Sequence, residues 1–503
     1  MNSNKQTHSY YTYKQKISDY FNDVTFYDTS VHFFEDSLLF IIKIELEKHL
    51  IIIGDSLDFN GIEIIIDAEL KILKCELNPL NTRNLRDKFD FTKPVLIGNK
   101  NSFGFGDRLG NAGVAHLKSL KNHTFVPILA QQSIRELKRT HRTAIEVLDA
   151  ASWAVFSLGY HDGFGADGDH IKTTDDLDYF VEAGYTMFTI DPSDFIHEDV
   201  KHITKERLLI EYEKVPWNEL LDSPDQFLLK FQAQEITLAS GLVIQPSESE
   251  IMEGIVKYGR VITHTKKLHD HLKSNYSEYP FELELSVDES KHPTSIFEHY
   301  LIVSELHKLG VELVSFAPRF CGDFEKGIEF KGDIDEFVNK FVLHTEIAKE
   351  FKDYKLSIHS GSDKFMIYQA IGSLEAGNVH VKTAGTSYLE ALRTIAVCDP
   401  NLFREIMLFS IKRFDEDKKN YHISANLDHV RNPNQVKDDE LRTYLDDDHA
   451  RQVLHVTYGS VLSGNYQESR SFKPSLLKSL EENEELYHRI LLDHFEKHLS
   501  SFN

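Results

Sequence analysis

A chain of 503 residues with 41% hydrophobic and 27% charged side chains can bury a large core and is too apolar for disorder. Its formal net charge of -24 argues against nucleic acid or a membrane surface as partner, and an anionic substrate would need a local basic pocket. Three scattered cysteines exclude a disulfide framework, and without an apolar leader or a long apolar run we expect a cytoplasmic protein.

The beginning of the chain predicts a small β-rich domain over residues 1–90. Residues 31–77 alternate apolar and polar positions in a way typical of three to five strands. We expect this domain to form an interface or to plug the end of a neighbouring domain, and we assign it no catalytic role.

Eight β-rich segments follow, each succeeded by a helical pattern. This order predicts an α/β fold with a (β/α)8 TIM-type barrel over residues 91–400. The predicted strands cover residues 94–98, 125–129, 154–158, 186–191, 281–287, 311–317, 356–359 and 378–382. Polar and ionisable residues crowd at their ends, where a barrel of this type carries its active site.

Two helical regions complete the predicted architecture. An insertion at residues 192–280 follows strand 4 and is longer than an ordinary connection, so it is a candidate lid or a contact in a homo-oligomer. The helical patterns cover residues 203–213, 224–240 and 247–274 in the insertion, and 387–397, 400–415, 438–462 and 474–499 near the end of the chain. The last of these form a helical C-terminal extension over residues 401–503.

Alternation along the predicted strands separates side chains inside the barrel from those that face the helices. Val379 and Val381 face outward, so His380 and Lys382 face inward, and the same reasoning places His359 inside. Also turned inward, or carried by the tail of the third strand, are Thr189, Asp191, Glu282, Glu284, Ser286, Asp288, Ser315, Ala317, Arg319, Asp167, Asp169, His170 and Lys172.

The inward histidines predict a divalent cation site. Buried His and carboxylate groups without partners are costly, and a dication offsets that cost. His359 and His380 lie inward on neighbouring strands, and His with carboxylate suits Zn, Mn, Fe or Co. The His-rich stretch 264–271 and the acidic stretch 446–449 are interpreted as solvated faces.

The glycine-rich segment GFGDRLG, residues 104–110, follows the first predicted strand. It lacks both the GxGxxG spacing and the acidic residue on a second strand of a dinucleotide fingerprint, so we expect no NAD. Its position on the catalytic face favours contact of Asp107 and Arg108 with substrate.

Eight stretches resemble the tagaturonate/fructuronate epimerase family, which interconverts two ketouronates of hexuronate breakdown. They are GFGDRLG (104–110), LAQQSIRE (129–136), GFGADGDHIKT (163–173), FTIDPSD (188–194), SVDES (286–290), FAPRFCGDFEKGIEF (316–330), KLSIHSGSDKF (355–365) and VHVKTAGTSYLEALR (379–393). The resemblance covers about residues 94–430 and implies a divalent-metal-dependent epimerase. After GDRLG the family continues with Pro-Gly-His, whereas this chain reads NAGVAH, so no role is assigned to His116.

The chemistry of that reaction restricts the mechanism. The two ketouronates differ at a carbon two bonds from the ketone, so the ketone does not acidify its C–H. Transient oxidation by a nicotinamide and retro-aldol cleavage with re-addition remain, and the missing fingerprint favours the second. A base then removes a hydroxyl proton, a Lewis-acidic metal (Zn, Mn, Ni, Co or Fe) stabilises the enediolate, and a second acid/base serves the opposite face.

We expect Asp169 and Glu284 to be the acid/base pair, with His170, His359 and His380 as metal ligands. Asp167 or Asp191 could replace Asp169 or His170. Groups expected to bind the substrate are Asp107, Arg108, Lys172, Asp191, Arg319, Ser360, Ser362, Asp363 and Lys382. Structural ion pairing is the alternative for Arg319 and Lys382.

Other functions fit the same residues. A metal-dependent sugar-acid aldolase shares the first half of the mechanism but releases its fragments, and acceptance of neutral ketoses would make the enzyme a ketose 4-epimerase. An inactive sugar-acid binding module is the non-enzymatic alternative, although binding alone needs fewer ionisable groups.

Overall fold

The computed structural model describes residues 3–232, 235–374, 377–464 and 471–502. Its N-terminal part contains a six-stranded sheet. The elements are α1 (Ser3–Tyr20), β1 (Val24–Phe26), β2 (His32–Phe34), β3 (Ser37–Ile44), β4 (Glu47–Ile53), β5 (Gly61–Ile65), β6 (Lys71–Glu76) and α2 (Pro79–Lys88). All pairings are antiparallel, in the order β1-β3-β4-β6-β5 with β2 beside β3. The expected β-rich unit is confirmed, and its boundary at residue 90 stays a prediction.

This sheet is covered on both faces, which explains the continuous apolar run SLLFIIKI of β3. Leu39 and Ile41 pack in a cluster with Trp153 of a barrel helix. Phe40, on the opposite face, belongs to a cluster with Ile17 of α1. The N-terminal sheet is therefore packed directly against the barrel.

The first half of the barrel alternates strands and helices. It contains β7 (Ser102–Phe105), α3 (Gly113–Ser119), β8 (Val126–Ser133), α4 (Ile134–Thr140), α5 (Ala144–Leu158), β9 (Gly165–Ile171), α6 (Thr174–Ala183) and β10 (Met187–Ile190). The insertion follows with α7 (Lys205–Glu213), α8 (Pro224–Gln232), β11 (Ile236–Thr237), β12 (Val243–Ile244) and α9 (Glu248–Asn275).

The second half closes the barrel. It contains β13 (Glu282–Ser286), α10 (Ile296–Lys308), β14 (Ser315–Ala317), α11 (Ile334–Glu350), β15 (Lys355–Ile358), α12 (Phe365–Gly372), β16 (Val379–Thr383) and α13 (Thr386–Cys398). Neighbouring strands are parallel in chain order and β16 pairs with β7, so the predicted barrel is confirmed.

The C-terminal extension is helical, as predicted. It comprises α14 (Pro400–Asp417), α15 (Asp448–Val456), α16 (Tyr458–Ser463), α17 (Lys473–Glu482) and α18 (Glu484–Ser500). These helices share one hydrophobic core with the barrel and the insertion. The domain limits at residues 400 and 401 therefore stay a prediction. In the described ranges, no helix combines the length and apolarity needed to cross a membrane.

The first predicted strand, residues 94–98, is wrong, because the strand at this place is β7. The segment instead lies across the N-terminal end of the barrel, where the amides of Ile97 and Gly98 donate to Glu282 at 3.1 and 2.5 Å. The sequence of β7, SFGF, is too short and too rich in small residues to give a strong strand pattern.

The third predicted strand, residues 154–158, is also wrong, because these residues form the last turns of α5. That helix has a capping box between Thr143 and Glu146 and ends at Gly159, whose φ is 60°. Its apolar residues do not keep to one face because Phe156 packs on the N-terminal sheet and Val155 on the barrel. The true third strand, GADGDHI, is mostly polar and glycine.

The helix predicted over residues 224–240 is too long. It ends at Gln232, and residues 233 and 234 lie outside the described residues. β11 and β12 follow as a small hairpin, with Gly241 at a φ of 87° in its turn. The helices predicted over residues 438–462 and 474–499 are each divided, the second at Asn483 between α17 and α18.

Candidate active site

Asp169 and His170 are adjacent in β9, yet both line the same cavity at the barrel mouth. The pairing of β9 with β10 shifts register between Phe188 and Ile190, and His170 has a φ of 55°, in the left-handed region. Such a bulge breaks the alternation of the strand. His170 Nδ1 consequently lies 2.9 Å from Asp169 Oδ1, an ion-pair contact without hydrogen-bond geometry.

Lys382, in β16, binds the carboxylates of three residues inside the barrel. Its Nζ lies 2.7 Å from Asp167 Oδ2 and 2.8 Å from Asp169 Oδ1. Glu284 Oε1 is the third partner, at 2.9 Å. Burial alone would lower the pKa of Lys382, but the three carboxylates outweigh it and hold that pKa well above its usual value. Lys382 is therefore a fixed ammonium in the site.

His359 directly follows β15 and contacts a carboxylate through each ring nitrogen. Its Nε2 lies 2.7 Å from Glu284 Oε1, and its Nδ1 lies 3.3 Å from Asp288 Oδ1. The other oxygen of Glu284 accepts from Ser315 Oγ at 2.5 Å. Glu284 is fully buried and does not line the cavity, so it holds the His359 ring from below.

Three side chains converge on one point of the cavity. One ligand atom each of His170, Asp288 and His359 lie within 4.8 Å of one another, and the two imidazole centroids are 5.3 Å apart. Asp288 belongs to the SVDES motif and was expected to face inward, but strand alternation offers no reason to prefer it as a ligand. This group is called the His-Asp triad below.

The structure does not bring His380 into the triad. Its Nδ1 lies 3.0 Å from Ser102 Oγ deep in the barrel, and it does not line the cavity. Its Nε2 is buried and has no partner within the described residues. Burial lowers the pKa of His380 to about 3, so this imidazole is neutral. Period-two alternation placed it inside correctly but did not reveal its depth.

The site has an excess of negative charge. Asp167, Asp169, Glu284 and Asp288 are all buried or half-buried, and Lys382 is the fixed cation among them. Burial would lower the pKa of His170, but the charges of Asp169, Asp191 and Asp288 raise it to about 10. Burial would also lower the pKa of His359, but nearby carboxylates, chiefly Asp288, raise it to about 9. The carboxylates around the two rings thus attract positive charge to this part of the cavity.

The other residues expected to bind substrate divide into two groups. Arg108 and Ser360 line the cavity, as do Ser362 and Lys382. The other five, Asp107, Lys172, Asp191, Arg319 and Asp363, lie outside that lining and have protein partners. Asp107 accepts hydrogen bonds from the amides of Leu109, Gly110 and Ala112. Lys172 pairs with Asp194 and lies 3.7 Å from Asp191, and Arg319 lies 3.8 Å from Asp323. Asp363 pairs with Arg451 and His494.

A second group of potential ligands, Asp363, His494 and His498, is a structural network. His498 Nδ1 donates to the His494 carbonyl at 3.1 Å, and its Nε2 accepts from the Asp363 amide at 3.0 Å. His494 Nε2 lies 2.7 Å from Asp363 Oδ1. Because both nitrogens of His498 are used, the group fastens α18 to the loop after β15.

The cavity wall also includes residues that the sequence did not single out. They are Arg135 from α4, Lys326 from the loop after β14, and Tyr421, His455 and Tyr458 from the C-terminal extension. Lys326 lies in the motif FAPRFCGDFEKGIEF, but it follows no strand directly, so strand alternation says nothing about it. Its place in the cavity is decided by tertiary packing.

Comparison with known proteins gives consistent matches. The family model for tagaturonate epimerase, UxaE, matches residues 27–502. The tagaturonate/fructuronate epimerase of Thermotoga maritima is 41% identical over 473 residues, which cover 92% of this chain and 94% of that protein. Two crystal structures of fructuronate-tagaturonate epimerase UxaE from Cohnella laeviribosi are also similar at 34% identity. The form with one glycerol has a TM-score of 0.90 over 99% of each chain, and the native form 0.89 over 98%.

Proposed function

We infer that this chain, which belongs to the tagaturonate epimerase family, interconverts D-tagaturonate and D-fructuronate in the cavity lined by the His-Asp triad. The resemblance seen in the sequence and the epimerase assignment are thereby confirmed. Metal dependence and the course of the reaction are our proposal. The observation that supports it best is the convergence of His170, Asp288 and His359 beside Asp169.

The triad fits a divalent cation by the chemistry of its donors. Two imidazoles and one carboxylate suit Zn, Mn, Ni, Co or Fe. Glu284 holds His359 through the nitrogen opposite Asp288, as carboxylates commonly orient metal-binding histidines. When bound, the cation supplies Lewis acidity toward the oxygen that becomes negative during carbon–carbon cleavage.

Asp169 is the group we propose as acid/base on one face of the substrate. Its contacts with Lys382 and His170 both use Oδ1, so Oδ2 is the oxygen left to meet a substrate hydroxyl. Despite its burial, these two cations hold the pKa of Asp169 well below its usual value. Lys382, which stays charged beside Oδ1, keeps Asp169 in the carboxylate form that a base requires.

The proposed reaction is a retro-aldol cleavage followed by re-addition of the aldehyde. Asp169 takes the hydroxyl proton at the inverting carbon, the bond from that carbon toward the ketone breaks, and its electron pair stays on the ketone fragment as an enediolate. The aldehyde turns over, the bond re-forms on its other face, and the new alkoxide takes a proton from an acid on that side. Glu284 does not line the cavity, so we propose Glu289 for this second role, because it lines the cavity and directly follows Asp288.

Several finer expectations remain part of the proposal. Arg108, Ser360 and Lys382 line the cavity and are placed to bind substrate oxygens. No nicotinamide takes part in the proposed reaction. A reducing cytosol suits the free thiols of Cys75, Cys321 and Cys398, and the insertion is our candidate contact for a homo-oligomer.

The test combines metal analysis with NMR of tagaturonate incubated in D2O without NAD. Protein loaded with Mn, Zn, Ni or Co should form fructuronate, chelation should stop it, and metal should restore it. Retro-aldol epimerisation leaves hydrogen on the inverted carbon, because only the hydroxyl proton and a carbon–carbon bond change. Deuterium at that carbon, or a requirement for NAD, would refute the proposed route.

A further inference from the structure

The cavity has two electrically different walls. Around the triad, carboxylates outnumber fixed cations. The remaining wall carries Arg108, Arg135 and Lys326. A ketouronate has the complementary asymmetry, with a reacting hydroxyketone at one end and a carboxylate at the other. The basic wall is thus where the substrate carboxylate finds the local positive charge that a chain of net charge -24 must provide.

The cations predicted from the sequence are already neutralised. Lys382 has three carboxylate partners, and Lys172 has Asp194 at 3.0 Å. Arg108 shares its charge with Glu136, at 2.8 Å, and its guanidinium stacks 3.5 Å from the Tyr458 ring centroid. One of its nitrogens, Nη1, is nevertheless buried without a partner in the described part of the chain.

Lys326 differs from these cations. Its Nζ donates to Ser360 Oγ at 2.6 Å, and across the described ranges no carboxylate lies within ion-pair distance of it. Its neighbour Glu325 is engaged elsewhere, with Lys331 at 3.0 Å and Gln452 Nε2 at 2.7 Å. A half-buried ammonium that faces a substrate cavity has the charge and the hydrogen-bond donors that an anion requires.

The backbone around Lys326 is held in place. Arg451 Nε donates to the Gly327 carbonyl at 2.7 Å, and Gln452 Nε2 lies 3.4 Å from the Lys326 carbonyl. His455, on the same wall, has a pKa far below its usual value because of burial and the charges of Arg108, Lys326 and Arg451. The wall is therefore positive and preorganised before any ligand arrives.

We propose that Lys326, with Ser360 and Arg108 beside it, binds the substrate carboxylate and sets the preference of this enzyme for ketouronates over neutral ketoses. The proposal rests on the proposed function for the identity of the substrate. Lys326 comes from the loop after β14, not from a barrel strand. The His-Asp triad binds the hydroxyketone end of the substrate, and Lys326 binds the carboxylate end. The distance between these two sites determines which carbon of the substrate lies beside Asp169.

The test compares two inert six-carbon ligands that differ in one group, D-galactonate with a carboxylate and galactitol with a hydroxymethyl group. Binding to the metal-loaded protein is measured by titration calorimetry, which needs no turnover. A charge-assisted hydrogen bond corresponds to about 10- to 100-fold in affinity. Lys326→Met should weaken galactonate binding by that factor and change galactitol binding less than about twofold, whereas Lys326→Arg should restore most of the loss.

Steady-state kinetics with tagaturonate test the same proposal independently. Because the carboxylate is bound equally before and during the reaction, Lys326→Met should raise KM for tagaturonate and leave kcat within about threefold. Lys340→Met, an equal charge change at an exposed position of α11, is the control and should match wild type. Equal loss of both ligands, or no loss of either, would overturn the proposal. A wild-type protein that prefers galactonate through Lys326 but turns over no tagaturonate would contradict only the proposed function.

Discussion

Replacement of Arg451 by Met should loosen the C-terminal extension from the barrel mouth. Arg451 is buried and uses all three guanidinium nitrogens: Nε donates to Gly327 O at 2.7 Å, Nη1 to Leu445 O at 2.8 Å, and Nη2 to Asp363 Oδ2 at 2.8 Å. Glu390 is its second acidic partner, at 3.2 Å. The variant removes two hydrogen bonds to backbone carbonyls and one cationic partner from each of two buried carboxylates, Asp363 and Glu390.

The expected loss can be estimated from these contacts. Removing one member of a buried ion pair costs about 3–5 kcal/mol. Asp363 keeps His494 at 2.7 Å and Glu390 keeps Arg393 at 2.6 Å, so we expect the lower end of that range, about 3 kcal/mol. This corresponds to on the order of 100-fold in the equilibrium between folded and unfolded protein.

Urea unfolding at pH 7, followed by the fluorescence of the two buried tryptophans, Trp153 and Trp217, measures this loss. Arg489→Met, at an exposed position of α18, is the matched control. The pKa of Asp363 is well below its usual value and that of Glu390 is lowered, in both cases by the facing cations against the effect of burial. Stability from such groups is present above their unfolded pKa values and is lost as pH falls.

The difference between wild type and Arg451→Met should therefore shrink from pH 7 toward pH 3. The variant should also raise KM for tagaturonate, because the backbone that carries Lys326 loses its anchor at Gly327. A loss of less than about 1 kcal/mol, equal to that of Arg489→Met, would refute the view that this arginine ties the extension to the site.

Three further predictions concern the site and the core. His170→Ala, Asp288→Ala and His359→Ala should each lower metal content, measured by mass spectrometry, and abolish epimerisation, whereas His380→Gln should keep its metal. Loss of metal in His380→Gln but not in Asp288→Ala would restore the ligand set expected from the sequence. Asp169→Asn should lower kcat by about 100-fold or more at unchanged metal content, and a near-normal kcat would exclude it as base. Burial lowers the pKa of His116 to about 4 from 6.5, so stability present above pH 6.5 should fall as the pH drops toward 4, by about 3 kcal/mol for this residue. In His116→Asn, the free energy of unfolding should depend less steeply on pH, because about one proton fewer is taken up on unfolding. An unchanged pH dependence would mean that the ring is not buried as a neutral group.

The fold was largely determined by local pattern. Six of the eight barrel strands, the β-rich beginning and the helical extension follow from hydrophobic periodicity, because most strands of this barrel bury one apolar face against helices. The two errors arose where that condition fails. β7 is short and rich in small residues, so its sequence has no clear strand pattern. α5 is buried on two sides, so its apolar residues do not show the helical period.

The site was determined only in part. Alternation correctly turned His359, Glu284 and Lys382 inward, but it cannot measure depth along the barrel axis. Because Glu284 lies deeper in the barrel than the cavity, it contacts His359 from below and does not face the substrate. His380 is also too deep and contacts Ser102. The bulge that brings Asp169 and His170 to the same side is equally invisible to a period of two.

What the sequence by itself determined was the barrel, the family and the inward groups, since these depend on neighbours along the chain. The tertiary structure alone decided which three side chains meet as potential ligands and which cations of the cavity wall have no carboxylate partner among the described residues. His455 and Tyr458 are neighbours in the C-terminal extension, whereas Lys326 reaches the same wall from the loop after β14, and no local rule relates it to them. Their meeting depends on the packing of the C-terminal helices over the barrel mouth.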